Sequence, residues 1–282
     1  MSDAVNGRTH QYHAEATILS GFLTLPLAQE VRSQARVSLP EKGGYVSQHV
    51  DKYRLEGVLS YSAAYTQVAG NRDTKPGHGW TTLATSVIEG FNLLEIVTAD
   101  RIVGQVITEH PIEGYVPSIN FLGTRFENLR IAGHPVSLDM NHNIFGGKPS
   151  SDASYVDDPG VHDRAANQYK NVLRHDDLPA DLRERYVKLS STHKGADTVH
   201  CSLVNQMAGS FPGRSYGHVI TIPEFGKISL CKLSVTSEDL IPGTRTPRKT
   251  TVSLTMIDFE LGCFGSGGFS GGRLVTNGQS NP

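Results

Sequence analysis

The sequence predicts an all-β protein, a β-sandwich or sandwich-like barrel with a small helical insertion, and three observations carry that expectation. β-branched residues, Thr and Gly dominate the first half, and apolar residues recur there every second position, the period of a strand with one buried face. Turn clusters such as "EKGG", "GNRDTKPGHG" and "IEGYVP" separate the apolar runs and supply the Gly, Pro, Asn and Asp that tight turns demand. Strand texture stops near residue 143, gives way to a polar run and then to helix formers, and resumes at 197. Many strands, each closed by turn signals, are the pattern of a sandwich.

In chain order, strands are predicted over 12–25, 36–42, 53–68, 81–90, 93–111, 118–131 and 135–141. The longest nearly uninterrupted apolar passage, "SVIEGFNLLEIVTADRIVGQVITEH" (86–110), is rich in Ile and Val, which argues against a helix. Gly90 with Asn92 predicts a bend between two strands inside it. "GFNLLEI" (90–96) and "RFENLRI" (125–131) share a Phe followed by spaced Leu and Ile, as two strands or corners with the same job in one sheet would. A β-solenoid is the alternative, but two copies do not make one. Residues 143–196 read as an insertion: "NIFGGKPSSDASYVDDPGVHD" is loop-like, and "RAANQYKNVLRHDDLPADLRERYVKL" carries helix formers, with Pro179 in the first turn of a second helix. Tyr169, Val172, Leu173, Leu178, Leu182, Tyr186 and Leu189 there form an apolar face at helical spacing, suited to packing on the sheet or to closing a binding mouth. Strands follow at 197–211, 217–235 and 249–264. The organisation expected is therefore a β domain begun by 1–142, interrupted by 143–196 and completed by 197–264, with 265–282 a flexible Gly/Ser-rich tail.

Composition excludes several functions. The 26 basic and 28 acidic residues give a formal net charge of −2 with no long run of either sign, so nucleic acid is not an expected partner. No apolar window has the length of a transmembrane segment. The first residues lack the basic and apolar regions of a secretory signal, which implies a soluble protein that is cytoplasmic or exported by a route without an N-terminal signal peptide. Cys201, Cys231 and Cys263 are odd in number, without CxxC spacing, and read as buried free thiols.

Four passages carry a further signal. "NLLEIVTADRI" (92–102), "LRIAGHPV" (129–136), "IPEFGKISL" (222–230) and "TVSL" (251–254) occur in this order. Together they resemble the choice-of-anchor P family of bacterial surface proteins, at Leu93, Leu94, Thr98, Ala99, Asp100 and Ile102; at Leu129, Ile131, Gly133, Pro135 and Val136; at Ile222, Pro223, Phe225, Gly226, Ile228 and Leu230; and at Thr251, Val252 and Leu254. The resemblance covers about half the chain and does not extend to the insertion. It implies a β architecture and brings no assigned catalytic residues.

Candidate chemistry rests mainly on the 12 histidines. His134, Asp139 and His142 lie close in sequence near a strand end and could offer two imidazoles and a carboxylate to a divalent metal; an Asx turn explains the same residues. In "NRDTKPGHGW" (71–80), Asp73, His78 and Trp80 could bind a small ligand or glycan, the single Trp serving as an aromatic platform, or Trp80 could pack over the core at the base of a hairpin. His10 and His13 read as solvated, because residues three apart on a strand face opposite ways. The same alternation separates Glu109 from His110 and His200 from Cys201, while His218 could approach Cys201 across a sheet. GxSxG, the phosphate-loop pattern and a Rossmann glycine fingerprint are all missing.

The function expected from sequence is non-catalytic binding or assembly, with homo-oligomer formation through exposed sheet edges. A metal-dependent, hydrolase-like enzyme sited near the insertion is the alternative, with His218 as a further acid/base candidate. Carbohydrate recognition through Trp80 is a second alternative.

Overall fold

The structure is a computed structural model that describes residues 9–23, 29–55, 57–72, 79–149, 153–191, 197–239, 248–262 and 267–281. The chain opens with β1 (Thr9–Gln11), β2 (Ala14–Leu23), β3 (Gln29–Gln34) and β4 (Val37–Ser38). β5 (Gly44–Val50), β6 (Tyr53–Leu55), β7 (Leu59–Tyr61) and β8 (Ala63–Arg72) lead into a long hairpin of β9 (Trp80–Leu93) and β10 (Val97–His110). Five short strands come next: β11 (Ser118–Asn120), β12 (Arg125–Glu127), β13 (Arg130–Ile131), β14 (His134–Pro135) and β15 (Ser137–Met140). After them stand helices α1 (Pro159–Leu173) and α2 (Ala180–Ser191). Then come β16 (Thr198–Ser202), β17 (Val204–Ala208), β18 (Arg214–Tyr216) and β19 (Val219–Ile222). β20 (Gly226–Asp239), β21 (Arg248–Leu261), β22 (Gly267–Thr276) and β23 (Gln279–Asn281) complete the described chain.

Two large antiparallel sheets result. In the first, β10 pairs β9 along one edge and β11, β12 and β13 along the other, and β9 continues through β7 and β8 to β5. The second runs β18–β19–β20–β21–β22–β2–β3, with β16 also on β20. Their inner faces meet where β9 and β10 lie over β2, β21 and β22, and Phe91 stacks on Phe259 with ring centroids 5.9 Å apart. The alternation read from sequence is the cause: Ala14, Ala16 and Ile18 on β2, Ala84 and Ile88 on β9, and Ile102 and Val106 on β10 all point into one core. The fold is thus an all-β, sandwich-like architecture with a small helical insertion.

The hairpin β9–β10 occupies the passage 86–110 as expected, but the chain reverses later than Gly90. The reversal is at 94–96, where Leu94 and Glu95 both take positive φ (52° and 57°) and the Asn92 carboxamide accepts from the Glu95 N–H at 2.8 Å. Gly90 (φ +61°) interrupts the ladder opposite Ser62. The two similar segments flank β10 from opposite sides, Leu93 and Ile131 both lying beside Val97. They belong to one sheet, not to a solenoid.

The largest departure is at the C-terminus. Residues 265–282 were expected as a flexible tail, yet β22 lies between β21 and β2 inside the second sheet, and β23 pairs β1. Its glycines serve packing: a Cβ on Gly271 would lie 2.9 Å from Ile257 Cγ2, and one on Gly272 (φ +64°) 3.0 Å from Met256 Cγ.

The insertion carries two helices, and α1 begins at Pro159, inside the stretch read as loop. Asp158 caps α1 by accepting from the Gly160 and Val161 N–H groups at 2.7 and 3.3 Å, Pro159 fills the first helical position, and Pro179 precedes α2. Its apolar face is buried against the second sheet through Tyr169, Val172, Leu182 and Tyr186. Gln168 does a different job. Its carboxamide donates to the Ser202 carbonyl at 2.8 Å and accepts from the Ser202 N–H at 2.9 Å, so α1 covers the open edge of β16. β15 pairs β17 and closes the base of the insertion.

Candidate functional site: the pocket beneath the insertion

Where the helices meet the second sheet, a pocket of about 280 Å³ is lined by Tyr169, Arg185, Tyr186, Leu189, His200, Cys201, His218, Ser229, Lys232 and Leu233. α1 and α2 supply the first four, β16 supplies His200 and Cys201, β20 supplies the last three, and the turn before β19 supplies His218. The helical period places Arg185, Tyr186 and Leu189 on one face of α2, and on β20 the positive φ of Cys231 (47°) breaks the strand alternation, so that Ser229, Lys232 and Leu233 all border the pocket.

At its base, the Tyr186 hydroxyl and His218 Nε2 are 2.7 Å apart in a buried hydrogen bond. Burial pushes the His218 imidazole down to about 4, with the Arg185 and Lys232 charges acting in the same direction. Burial also raises the Tyr186 hydroxyl above its ordinary range. Both partners are therefore neutral at pH 7, and the tyrosine donates to the imidazole. The Tyr169 hydroxyl donates to the His200 carbonyl and further ties α1 to β16.

Two cations stand over this neutral base. Arg185 pairs with Glu260 at 3.1 Å, and Lys232 with Asp258 at 2.6 Å. The His200 imidazole, more open to solvent, is also lowered, first by desolvation and then by Lys232 and Arg185. Both imidazoles thus sense a positive field that an anion in the pocket would relieve.

The same environment speaks against covalent catalysis. Cys201 lines the pocket together with His218, the two standing at strands that follow one another along the same edge of β20. Its thiol, however, is pushed up to about 12 by burial, so almost no thiolate exists at neutral pH. Cys231 is a second buried free thiol, and Cys263 lies outside the described residues.

The other candidates fall elsewhere. His134 is exposed on β14 and Asp139 is exposed on β15, in different sheets, while the His142 Nε2 is bound to the Thr124 carbonyl at 2.8 Å. Among the described residues no group of three or more His, Cys, Asp or Glu side chains could hold a metal ion, so these three do not form the divalent-metal site. Trp80 is fully buried and stacks on His10 with centroids 5.1 Å apart; it offers no platform to a glycan and packs over the core instead. Asp73 and His78 lie outside the described residues.

His10, expected in solvent, is buried in the same cluster, with His110 at 4.7 Å and Tyr12 at 4.6 Å between ring centroids. The reason is β23: pairing with β1 brings Gly278 over both imidazoles, where a Cβ would lie 2.8 Å from His10 Nε2 and 3.2 Å from His110 Nε2. Sequence reasoning also passed over Arg185, Tyr186 as a polar group, Ser229 and Lys232. Their signal is their convergence, which depends on how the insertion docks.

Fold and site together define a two-sheet β protein with a helical cap over a small pocket lined by apolar side chains and two cations. Residues 10–236 match the family model of a domain of unknown function, DUF8256, and the chain belongs to that family. No curated protein and no solved structure matches it.

Proposed function

We propose that the protein is a non-catalytic binding protein whose ligand is a small oxyanion seated beneath the helical insertion. One observation carries this: Arg185 and Lys232 converge over the neutral Tyr186–His218 pair in a pocket of about 280 Å³. That volume sits near the lower end of small-molecule sites, which span roughly 300–1,000 Å³, and so favours a compact ligand. Exchange of an incoming carboxylate or phosphate for Glu260 or Asp258 would keep each cation paired while the Tyr186 hydroxyl and Ser229 orient the remaining oxygens. The pocket holds no activated nucleophile, which favours binding over the hydrolase alternative.

Thermal melting of the full chain with acetate, succinate, sulfate or phosphate tests the proposal. At least one anion is expected to raise Tm in a saturable manner. Arg185→Gln and Lys232→Gln are each expected to weaken that effect about tenfold, the loss of roughly 1.4 kcal/mol that one charge-assisted contact supplies. An absence of saturable stabilisation, or a shift indifferent to both substitutions, would overturn it.

A further inference from the structure

We infer that the pocket beneath the insertion takes a short-chain monocarboxylate, whose carboxylate meets Arg185 and whose alkyl tail lies against Leu189, Leu233 and the Tyr169 ring. This rests on the proposed oxyanion site and names the class of molecule that fills it.

The walls argue for a tail. Tyr169, Leu189, Cys201 and Leu233 present a ring, methyl groups and a thiol to the pocket. The Tyr169 hydroxyl is committed to the His200 carbonyl, and the Cys201 thiol, held protonated by burial, behaves as a small apolar group. A sulfate or phosphate carries acceptor oxygens on every side, and those turned towards these walls would be buried without donors, which is unfavourable. A carboxylate confines its two oxygens to one end, and its tail gains by leaving water.

The ion pairs argue for a single carboxylate. Asp258 accepts from Lys232 at 2.6 Å and from the Ser270 hydroxyl at 2.8 Å, so it is held in place and keeps Lys232 paired. Glu260, the partner of Arg185, is the more exposed of the two carboxylates, with 51% of its side chain open against 18% for Asp258. Glu260 therefore gives way to solvent more readily, and Arg185 is the cation that turns to the ligand.

α2 sets the length. Arg185 and Leu189 stand four residues apart on it and both border the pocket. Four residues advance a helix by about 6 Å. A carboxylate with three carbons behind it spans nearly that distance, at ~1.5 Å per bond. The volume of about 280 Å³ closes the site to much longer chains.

Saturable shifts of Tm with acetate, propionate, butyrate, hexanoate, succinate, sulfate and phosphate, at fixed ionic strength, test this on the full chain. Affinity is expected to rise about fourfold per methylene from acetate to butyrate, the ~0.8 kcal/mol of one buried CH₂, and to gain nothing further at hexanoate. Butyrate is expected to exceed succinate, sulfate and phosphate. Arg185→Gln should weaken every acid by a common factor. Leu189→Ser, with an unchanged circular dichroism spectrum, should cut the gain per methylene below twofold. The series in the unsubstituted chain carries the test even without that variant. If anions stabilise the chain but tail length has no effect, or if succinate or phosphate exceeds butyrate, the monocarboxylate is overturned and the oxyanion site stands. The absence of a saturable shift with every anion overturns both.

Discussion

His110 is a buried imidazole whose two ring nitrogens have no hydrogen-bond partner among the described residues. Burial, the nearby His10 and the Lys148 charge all hold it well below 6.5, and burial brings His10 down to about 4. Unfolded imidazoles take up a proton near pH 6.5 while these folded ones resist it, so the unfolded state binds more protons. Stability is therefore retained above pH 6.5 and falls as the pH drops from 6.5 towards 4. For His10 the loss approaches roughly 3 kcal/mol at the acid end. Urea titrations at stepped pH should show this slope. His110→Phe should flatten it while costing little at pH 7, because an apolar ring removes two unsatisfied nitrogens along with the charge. Gly104 makes the complementary point about size. A Cβ there would lie 2.8 Å from Met256 Cγ and 3.1 Å from Leu274 Cδ1, between the two sheets. Gly104→Ala should destabilise by about 1–3 kcal/mol, measured by chemical unfolding.

At the scale of elements, Gln168 is the test of how the insertion is attached. Gln168→Leu keeps most of the volume but leaves the Ser202 N–H and carbonyl without these partners, at a cost of about 2–4 kcal/mol. Hydrogen exchange at β16 should accelerate in the same variant; an unchanged rate would mean that α1 does not cover that edge. The elements were unequally legible in the sequence. The hairpin of β9 and β10 was readable because its Ile and Val residues alternate over two long strands, and the body of α1 because helix formers run on from Arg164; its start at Asp158 and Pro159 lies inside the stretch read as loop. β22 was not. Its glycines suggested chain entropy, whereas Gly271 and Gly272 are small so that Ile257 and Met256 can approach, a fact about neighbours distant in sequence. β5 was passed over because it faces solvent on so many positions that no core-facing alternation shows.

For the whole molecule, the insertion turns a scaffold into a container. Cys201 and His218 were legible as candidates for one site, since each sits at a strand in its own right. Arg185 and Tyr186 were not, because only the docking of α2 over β20 brings them there. The binding proposal depends on that docking, and the imidazoles of His200 and His218 report on it directly. Their resonances in an NMR pH titration, followed with and without succinate or phosphate, give the decisive measurement. A bound oxyanion beside Arg185 and Lys232 should shift both resonances saturably and raise the pH at which each imidazole protonates, starting from about 4 for His218. Resonances and titration midpoints that stay unchanged with every anion would contradict the proposal.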